Sequence, residues 1–533
     1  MILTIAKQRF LSNIMTMRFT ISFILCVVLF VASTFILTQD YTERLRQYQT
    51  SVQESENALK EINVYARLET NLNKPPSPLS IINEGGEKRL GSSVAVSFDQ
   101  APTVTEQQGT RNPLLAVFPS LDLTTVIEII ISLLVLFFAY NTISGEREQG
   151  TMKLILSNNV PRHTVLLGNF IGGMASIVLP MIVGLSVSMI IMYTNPLIAL
   201  NLNDHIRLLI IFILAVMYLS AFYSLGMLLS SRIRSSATVL ILLLFIWVVS
   251  VIIVPNSAVY FAKYVSQIPD RALVDSQAEQ LEQDWMNDMD IYASEHPHPL
   301  RSPRGSLARF TGQDNSFLRG IERNRSVWTG NWPFAYSIYY APRELMEWYL
   351  EGSVYGHNLR MDYEDRIWQL YRDYQTQLEK QTGYARAFSL LSVSRLFYNA
   401  TSSLAGTSEA DYLTFIQQAS GYRGNLISYM KDKGGLDSYL LFTRKPVDFY
   451  MSARELLDIR DSQSTESAKE TIAQIMNYTV EPLDLSDLPR FGYSSAGIVT
   501  SIARVLPEIM ILIFMNMIFF LLAWVSFLRA DVR

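Results

Sequence analysis

Three charges crowd one short turn. Glu146, Arg147 and Glu148 stand between an apolar run that ends near Ile143 and the pair Gly150-Thr151. A short amphipathic run, 152–156, follows, and Ser157-Asn158-Asn159 and Pro161-Arg162 break it before hydrophobic sequence resumes. Two carboxylates flanking a guanidinium do not assemble a nucleophile and its base; they recognise charge. Such a set suits the electrostatic registration of a protein partner. Gly150 permits a sharp turn, and Thr151 is placed to cap the helix that follows. The simpler reading, a solvated helix cap just outside a membrane, uses the same residues.

Other chemistry is sparse. The chain has no G-x-x-x-x-G-K-[ST] phosphate loop, no H-E-x-x-H and no G-x-S-x-G, so no ATP hydrolysis and no bound cofactor are expected of it. His296 and His298 open a Pro/Arg-rich loop, but two histidines without a nearby cysteine make a poor metal site. Glu128 and Glu508 form a candidate acidic pair at the outer ends of two apolar segments, with Arg504 one turn from Glu508. Pairing or snorkelling at the interface is one reading of them. An acidic lip that meets a cationic substrate is the other.

The elements that must carry these residues are membrane helices. Of 533 residues 49% are hydrophobic, mean hydropathy is +0.19, and the apolar residues are clustered. A hydrocarbon layer of about 30 Å needs roughly 20 apolar residues per helical span. Six segments qualify: 19–37, 124–143, 165–193, 206–230, 237–254 and 505–528. The expected fold is therefore an α-helical polytopic membrane protein. The first apolar run is longer than the ~7–15 residues of a signal peptide's apolar region and lacks an A-x-A-like cleavage site, so it reads as an uncleaved anchor. A formal net charge of −4 over so long a chain suggests no nucleic-acid partner. The single cysteine, Cys26, lies inside the first span and excludes disulfides within the chain.

Basic residues mark one side. Lys7, Arg9 and Arg18, then Arg147, Lys153 and Arg162, then Arg232 and Arg234, and finally Arg529 and Arg533 all fall there, whereas the short loop 195–205 before its histidine carries none. This bias places both termini in the cytoplasm, for a bacterial inner-membrane protein. The expected order is a cytoplasmic interfacial helix (1–18), a span (19–37), an outer region (38–123), four spans with the charged turn at 144–162 (124–254), a large, mainly helical outer domain (255–501), a last span (505–528) and a short tail (529–533). In the interfacial helix Leu3, Ala6, Phe10 and Ile14 share a face suited to lipid. In the third span Gly168, Gly172, Ser176, Pro180 and Gly184 recur every fourth residue. Such a face admits another helix closely, from the same chain or from a second bundle.

The stretch Ile143-Ser144-Gly145-Glu146-Arg147-Glu148-Gln149-Gly150-Thr151 resembles the first cytoplasmic loop of type-two permeases of ATP-binding-cassette (ABC) transporters. Leu229–Ser236, with Trp247 and Pro255 beyond it, and the ending Phe527–Arg533 are similar to other passages of that family, in the subgroup with large outer insertions. The likeness covers roughly half the chain; Asn159 stands where the family usually has Pro, and a Lys near Asn169 is missing. It implies a permease, an exporter, that binds no cofactor itself. A separate ABC ATPase subunit would hold ATP and Mg and dock on Glu146, Arg147, Glu148, Gly150, Thr151 and Arg162. A second permease, the same chain or a paralogue, would complete the pathway. Two alternatives remain: a mechanical transmitter that works on envelope proteins through its outer domain, and a membrane-anchored scaffold or sensor.

Overall fold

A computed structural model describes residues 1–100, 102–104, 121–152, 161–296, 343–441, 452, 454–455 and 482–529. Six of its helices are long and apolar enough to cross a membrane. They are α2 (Met17–Lys60), α3 (Leu123–Glu148), α4 (Arg162–Thr194), α5 (Leu202–Arg232), α6 (Ser236–Val265) and α11 (Ile498–Arg529). A separate helix α1 (Ile2–Ile14) precedes them, and a break at Met15-Thr16 turns the chain into α2, whose first turn the Thr16 hydroxyl caps. The fold is thus the helical membrane bundle with an N-terminal helix that the composition calls for.

Lipid tails are as apolar as leucine, so packing rather than water exclusion must hold such helices together. The small-residue face of α4 shows how. A side chain at Gly168 would meet Ile5 at 2.6 Å, and one at Gly172 would meet the Ala6 carbonyl and, at 2.9 Å, the Cβ of Arg9. Ser176 accepts a hydrogen bond from the Asn13 amide at 3.1 Å. Further along, Gly184 packs on Phe30 of α2, and the Thr34 and Ser188 hydroxyls meet at 2.8 Å. Pro180 is buried between these two contacts. The face is therefore covered within the chain, by α1 and α2, and does not serve as the contact with a second permease.

The face that α1 buries also differs from the expected one. Ala6 and Asn13 are buried, while Leu3 is 78% exposed and Met15 84%. Close approach to glycines needs a small residue opposite them, so the Ala6–Arg9–Asn13 side faces α4 and the leucines are left for lipid.

Away from the charged turn the helices outrun the bilayer. At 1.5 Å per residue the 44 residues of α2 span roughly 66 Å, about twice the hydrocarbon layer. Helix α6 runs on past the expected boundary at Pro255, because a π-helical segment, Val248–Ile253, shifts the hydrogen-bond ladder just before it and the proline falls in the first turn of the next helical segment. Helix α7 (Arg271–Glu295) follows, and α8 (Arg343–Ser389, 47 residues) packs along both α6 and α7 on its way back. Trp285, Met289 and Tyr363 form the core of that helical pair.

The chain then re-enters the bundle as α9 (Val393–Ala405). Leu396, Phe397 and Leu404 belong to the membrane core, and Phe397 stacks on Tyr218 of α5 with ring centroids 4.8 Å apart. A second core lies beyond the bundle. There β1 (Glu69–Asn73), β2 (Ser93–Ser97) and β3 (Thr103–Val104) make an antiparallel sheet in chain order, covered by α10 (Glu409–Asp432). The sequence predicts a hairpin turning at Gly85-Gly86 and a helix running to Lys74. Instead α2 ends at Lys60, and β2 pairs with β1, whose polar Glu-Thr-Asn-Leu-Asn carries little strand signal. Gly85, at φ +56°, is pressed against Thr407. Arg44 ties the projecting part of α2 to this loop, with Asp40 at 2.8 Å, Glu87 at 2.7 Å and Ser80 at 2.9 Å.

Two outcomes follow from this packing. Gly172→Leu must push α1 off α4, at a cost of about 1–3 kcal/mol for overpacking; thermal unfolding of the detergent-solubilised chain should shift down, and a cysteine at Ala6 should label faster. The second concerns pH. His357 of α8 lies beside Phe98 at the end of β2, ring centroids 5.4 Å apart, and burial pushes its imidazole down from 6.5 to about 4 against an opposing pull from Asp99. The unfolded chain therefore takes up this proton first as pH falls. The contribution is intact above pH 6.5 and is lost on the way down to about pH 4. His357→Phe should flatten the pH dependence of the melting temperature in that window.

Candidate functional site

At the other end of α3 the regular helix stops at Ala139, and one helical turn, Ser144–Glu148, precedes Gly150. Gly150 has φ +75° with open space where a Cβ would stand, so its backbone conformation alone selects glycine here. The charged residues of this turn each reach a different helix. Glu148 accepts hydrogen bonds from the Ser236 amide at 2.8 Å and the Ser236 hydroxyl at 2.9 Å, at the start of α6. Arg147 donates to the Ser231 carbonyl at 3.0 Å, at the end of α5. Glu146 pairs with Arg9 of α1 at 3.7 Å and receives the Thr151 hydroxyl. At the start of α4, Arg162 donates to the carbonyls of Phe527 at 3.2 Å and Leu528 at 2.7 Å, at the end of α11.

The chemistry of these contacts is consistent. Free amides begin a helix and free carbonyls end it, and the dipole adds partial positive and negative charge respectively. The carboxylate sits on a helix start and both guanidiniums sit on helix ends. A layer of hydroxyls lies beneath them. Ser230 accepts from the amides of Ile143 at 3.0 Å and Ser144 at 2.8 Å, Ser144 and Ser236 hydroxyls lie 2.9 Å apart, and Ser231 donates to Ser526 at 2.8 Å. Deeper, the Tyr223 hydroxyl meets Thr142 at 3.3 Å and donates to the Asn169 carbonyl at 3.2 Å.

From sequence these charges are expected to face a partner. In the fold they are engaged within the chain: Glu148 on the start of α6, Arg147 on the end of α5, and Glu146 on Arg9 and Thr151. The edge left exposed is Glu148-Gln149-Gly150. Thr151 donates its hydroxyl back to the carbonyl and carboxylate of Glu146, Met152 is buried, and residues 153–156 of the expected docking helix, which Thr151 was to cap, lie outside the described residues.

The two members of the candidate acidic pair have different surroundings. Glu128 lies in a second π-helical segment, Val126–Ile131, where its carbonyl accepts the Tyr218 hydroxyl at 2.7 Å and its carboxyl is opposite Ser394 and Arg395 of α9. Glu508 is buried in α11, with no partner for its Oε2 among the described residues. The expected pairing with Arg504 is not formed, since Arg504 turns to Asp411 at 3.1 Å. His296 bonds the Tyr292 carbonyl at 3.0 Å, His298 lies outside the described residues, and no metal-binding cluster occurs among those described.

Sequence alone missed Arg9, Tyr223 and the serine layer. Serines near a membrane edge carry no periodic signal. Arg9 shares a face with the small residues Ala6 and Asn13, a pattern complementary to the glycine face of α4, and that was the available clue.

No curated protein matches the chain. A family model described as "ABC-2 family transporter protein" matches residues 3–532, which takes in the far-side regions as well as the spans and the charged turn. A six-span helical bundle with an N-terminal helix, whose charged turn gathers the ends of its helices, is thus matched almost end to end, and the chain belongs to the ABC-2 family of transporter proteins as a membrane permease subunit of an ABC transporter.

Proposed function

We propose that this permease is an exporter subunit. Its turn, Glu146–Thr151, and the segment after it receive a separate ABC ATPase, which holds ATP and Mg. One observation carries the reading: the turn is fastened to α1, α5 and α6, and its downstream edge, Arg162, to α11. A push on this turn therefore acts on several helix ends at once. In this reading the turn side is the cytoplasm, both termini lie there, and the membrane is the bacterial inner membrane. The export direction rests on the likeness of the turn to that of type-two exporters. A polar route is not built from one such apolar bundle, so two permeases are required, identical or paralogous.

A second reading has its own observation. Helices α2 and α6 leave the bundle without a break and α9 returns into it. Movement of the spans would then be carried rigidly to the far side, as a mechanical transmitter acting on envelope proteins requires.

The docking reading is tested with Glu146→Lys and Glu148→Lys together, reconstituted with the ATPase in proteoliposomes. Stimulated hydrolysis should fall about tenfold or more, as expected when like charges replace attractive ones at an interface. The Glu148 cap on α6, about 1 kcal/mol, and the Glu146–Arg9 pair, up to about 1 kcal/mol, are lost as well, so recovery of folded protein is read separately. Undiminished stimulation would reject the assignment. Native mass spectrometry of the active complex should find two permease chains; a single one would reject the paired pathway and leave the transmitter.

A further inference from the structure

Arg9 lies on α1, in a tail whose basic residues need do no more than mark a membrane side. Its position is more specific than that. Its Cβ would stand 2.9 Å from a Cβ at Gly172, so its stem is pressed onto α4. The side chain is 13% exposed, and its buried Nε has no hydrogen-bond partner among the described residues. Nη1 is 3.7 Å from Glu146 Oε1, too far for a hydrogen bond and close enough for an ion pair. The Tyr223 hydroxyl of α5 faces the same guanidinium. The other carboxylate oxygen of Glu146, Oε2, takes the Thr151 hydroxyl. Thr151 and the buried Met152 begin the segment that follows the turn. One carboxylate thus stands between the N-terminal helix and that segment, with an oxygen committed to each.

We propose that Arg9 is a positioning residue for ATPase coupling: seated on Gly172, its guanidinium holds the Glu146 carboxylate, which holds Thr151 and so sets where the docking segment starts. The inference rests on the docking reading and names a residue outside the turn on which that docking depends. It makes α1 part of the coupling path, because displacing α1 from α4 withdraws the charge that orients Glu146. A basic residue that only marked the membrane side would tolerate any neutral replacement.

The test uses the full-length permease and the ABC ATPase recovered with it, in proteoliposomes, comparing Arg9→Gln, Arg9→Lys and the exchange of Arg9→Glu with Glu146→Arg. Loss of a partly exposed ion pair is worth up to about fivefold. Arg9→Gln should lower kcat of stimulated hydrolysis by about that factor, with KM for ATP and recovery of the complex unchanged. In a Cys26→Ala background a cysteine at Met152 should react with maleimide about fivefold faster once Arg9 is Gln. Arg9→Lys should restore both readouts to within about twofold, since it keeps the charge, and the exchange should restore part. Wild-type hydrolysis with Arg9→Gln would overturn the proposal. So would a loss that neither Arg9→Lys nor the exchange repairs, which marks a merely structural residue. If the Glu146 and Glu148 double variant uncouples while Arg9→Gln does not, the role of Arg9 alone fails; if neither does, the docking reading fails and takes this proposal with it.

Discussion

Backbone groups at the end of a helix have no partner in that helix, and where the end is buried against its neighbours, as at Ser231 and Ser236, water does not replace it. The charged turn meets that constraint for several helices at once. Glu148 satisfies the start of α6, Arg147 the end of α5 and Arg162 the end of α11, over a layer of serines that satisfies the turn's own amides. Each contact is charge-assisted and so stronger than a neutral hydrogen bond. Because one short segment makes these contacts, the helix ends are mechanically joined there. That junction makes a small exposed turn a sensible place for an external subunit to apply force.

In the proposed reading the rest of the architecture would pass displacement on. Glycines in α4 bring α1 and α2 into backbone-close contact, and such contacts shift as units. At the far end α9 sits between spans beside two π-helical segments. Ser392 donates to the Ser250 carbonyl at 2.6 Å in one segment, and Tyr218, stacked on Phe397, donates to the Glu128 carbonyl at 2.7 Å in the other. Trp247 and Ser132, joined at 2.8 Å, connect α6 with α3 directly between them. A π segment offers irregular hydrogen bonding where a helix is to bend or to accept a side chain. The far-side core then continues from α2 into the sheet with no flexible linker at Lys60.

How much of this was legible depends on the residue. Long apolar runs announce spans, because hydrocarbon thickness alone sets their length; all six were readable, and Gly150 and the charges around it marked the turn. The far ends were not readable. Polar helix such as Tyr41–Lys60 has no bilayer to fix its limit, and β1 is too polar to signal a strand. Spacing and charge left the partners open. Spacing placed Gly168, Gly172 and Gly184 on one face but could not say that α1 and α2 cover it. Charge placed Glu146, Arg147 and Glu148 outside the bilayer but could not show that Arg147 and Glu148 meet helix termini 84 and 88 residues away, or that Glu146 meets Arg9. Arg504 made the same point, choosing Asp411 over the nearer Glu508.

The most direct measurement is a cryo-electron microscopy structure of the permease with its ATPase in nanodiscs. The account predicts the ATPase seated against Glu148–Gly150 and the residues that follow, with Arg147, Glu148 and Arg162 still on the ends of α5, α6 and α11. An ATPase that contacts the bundle elsewhere, leaving this turn open to solvent, would contradict it.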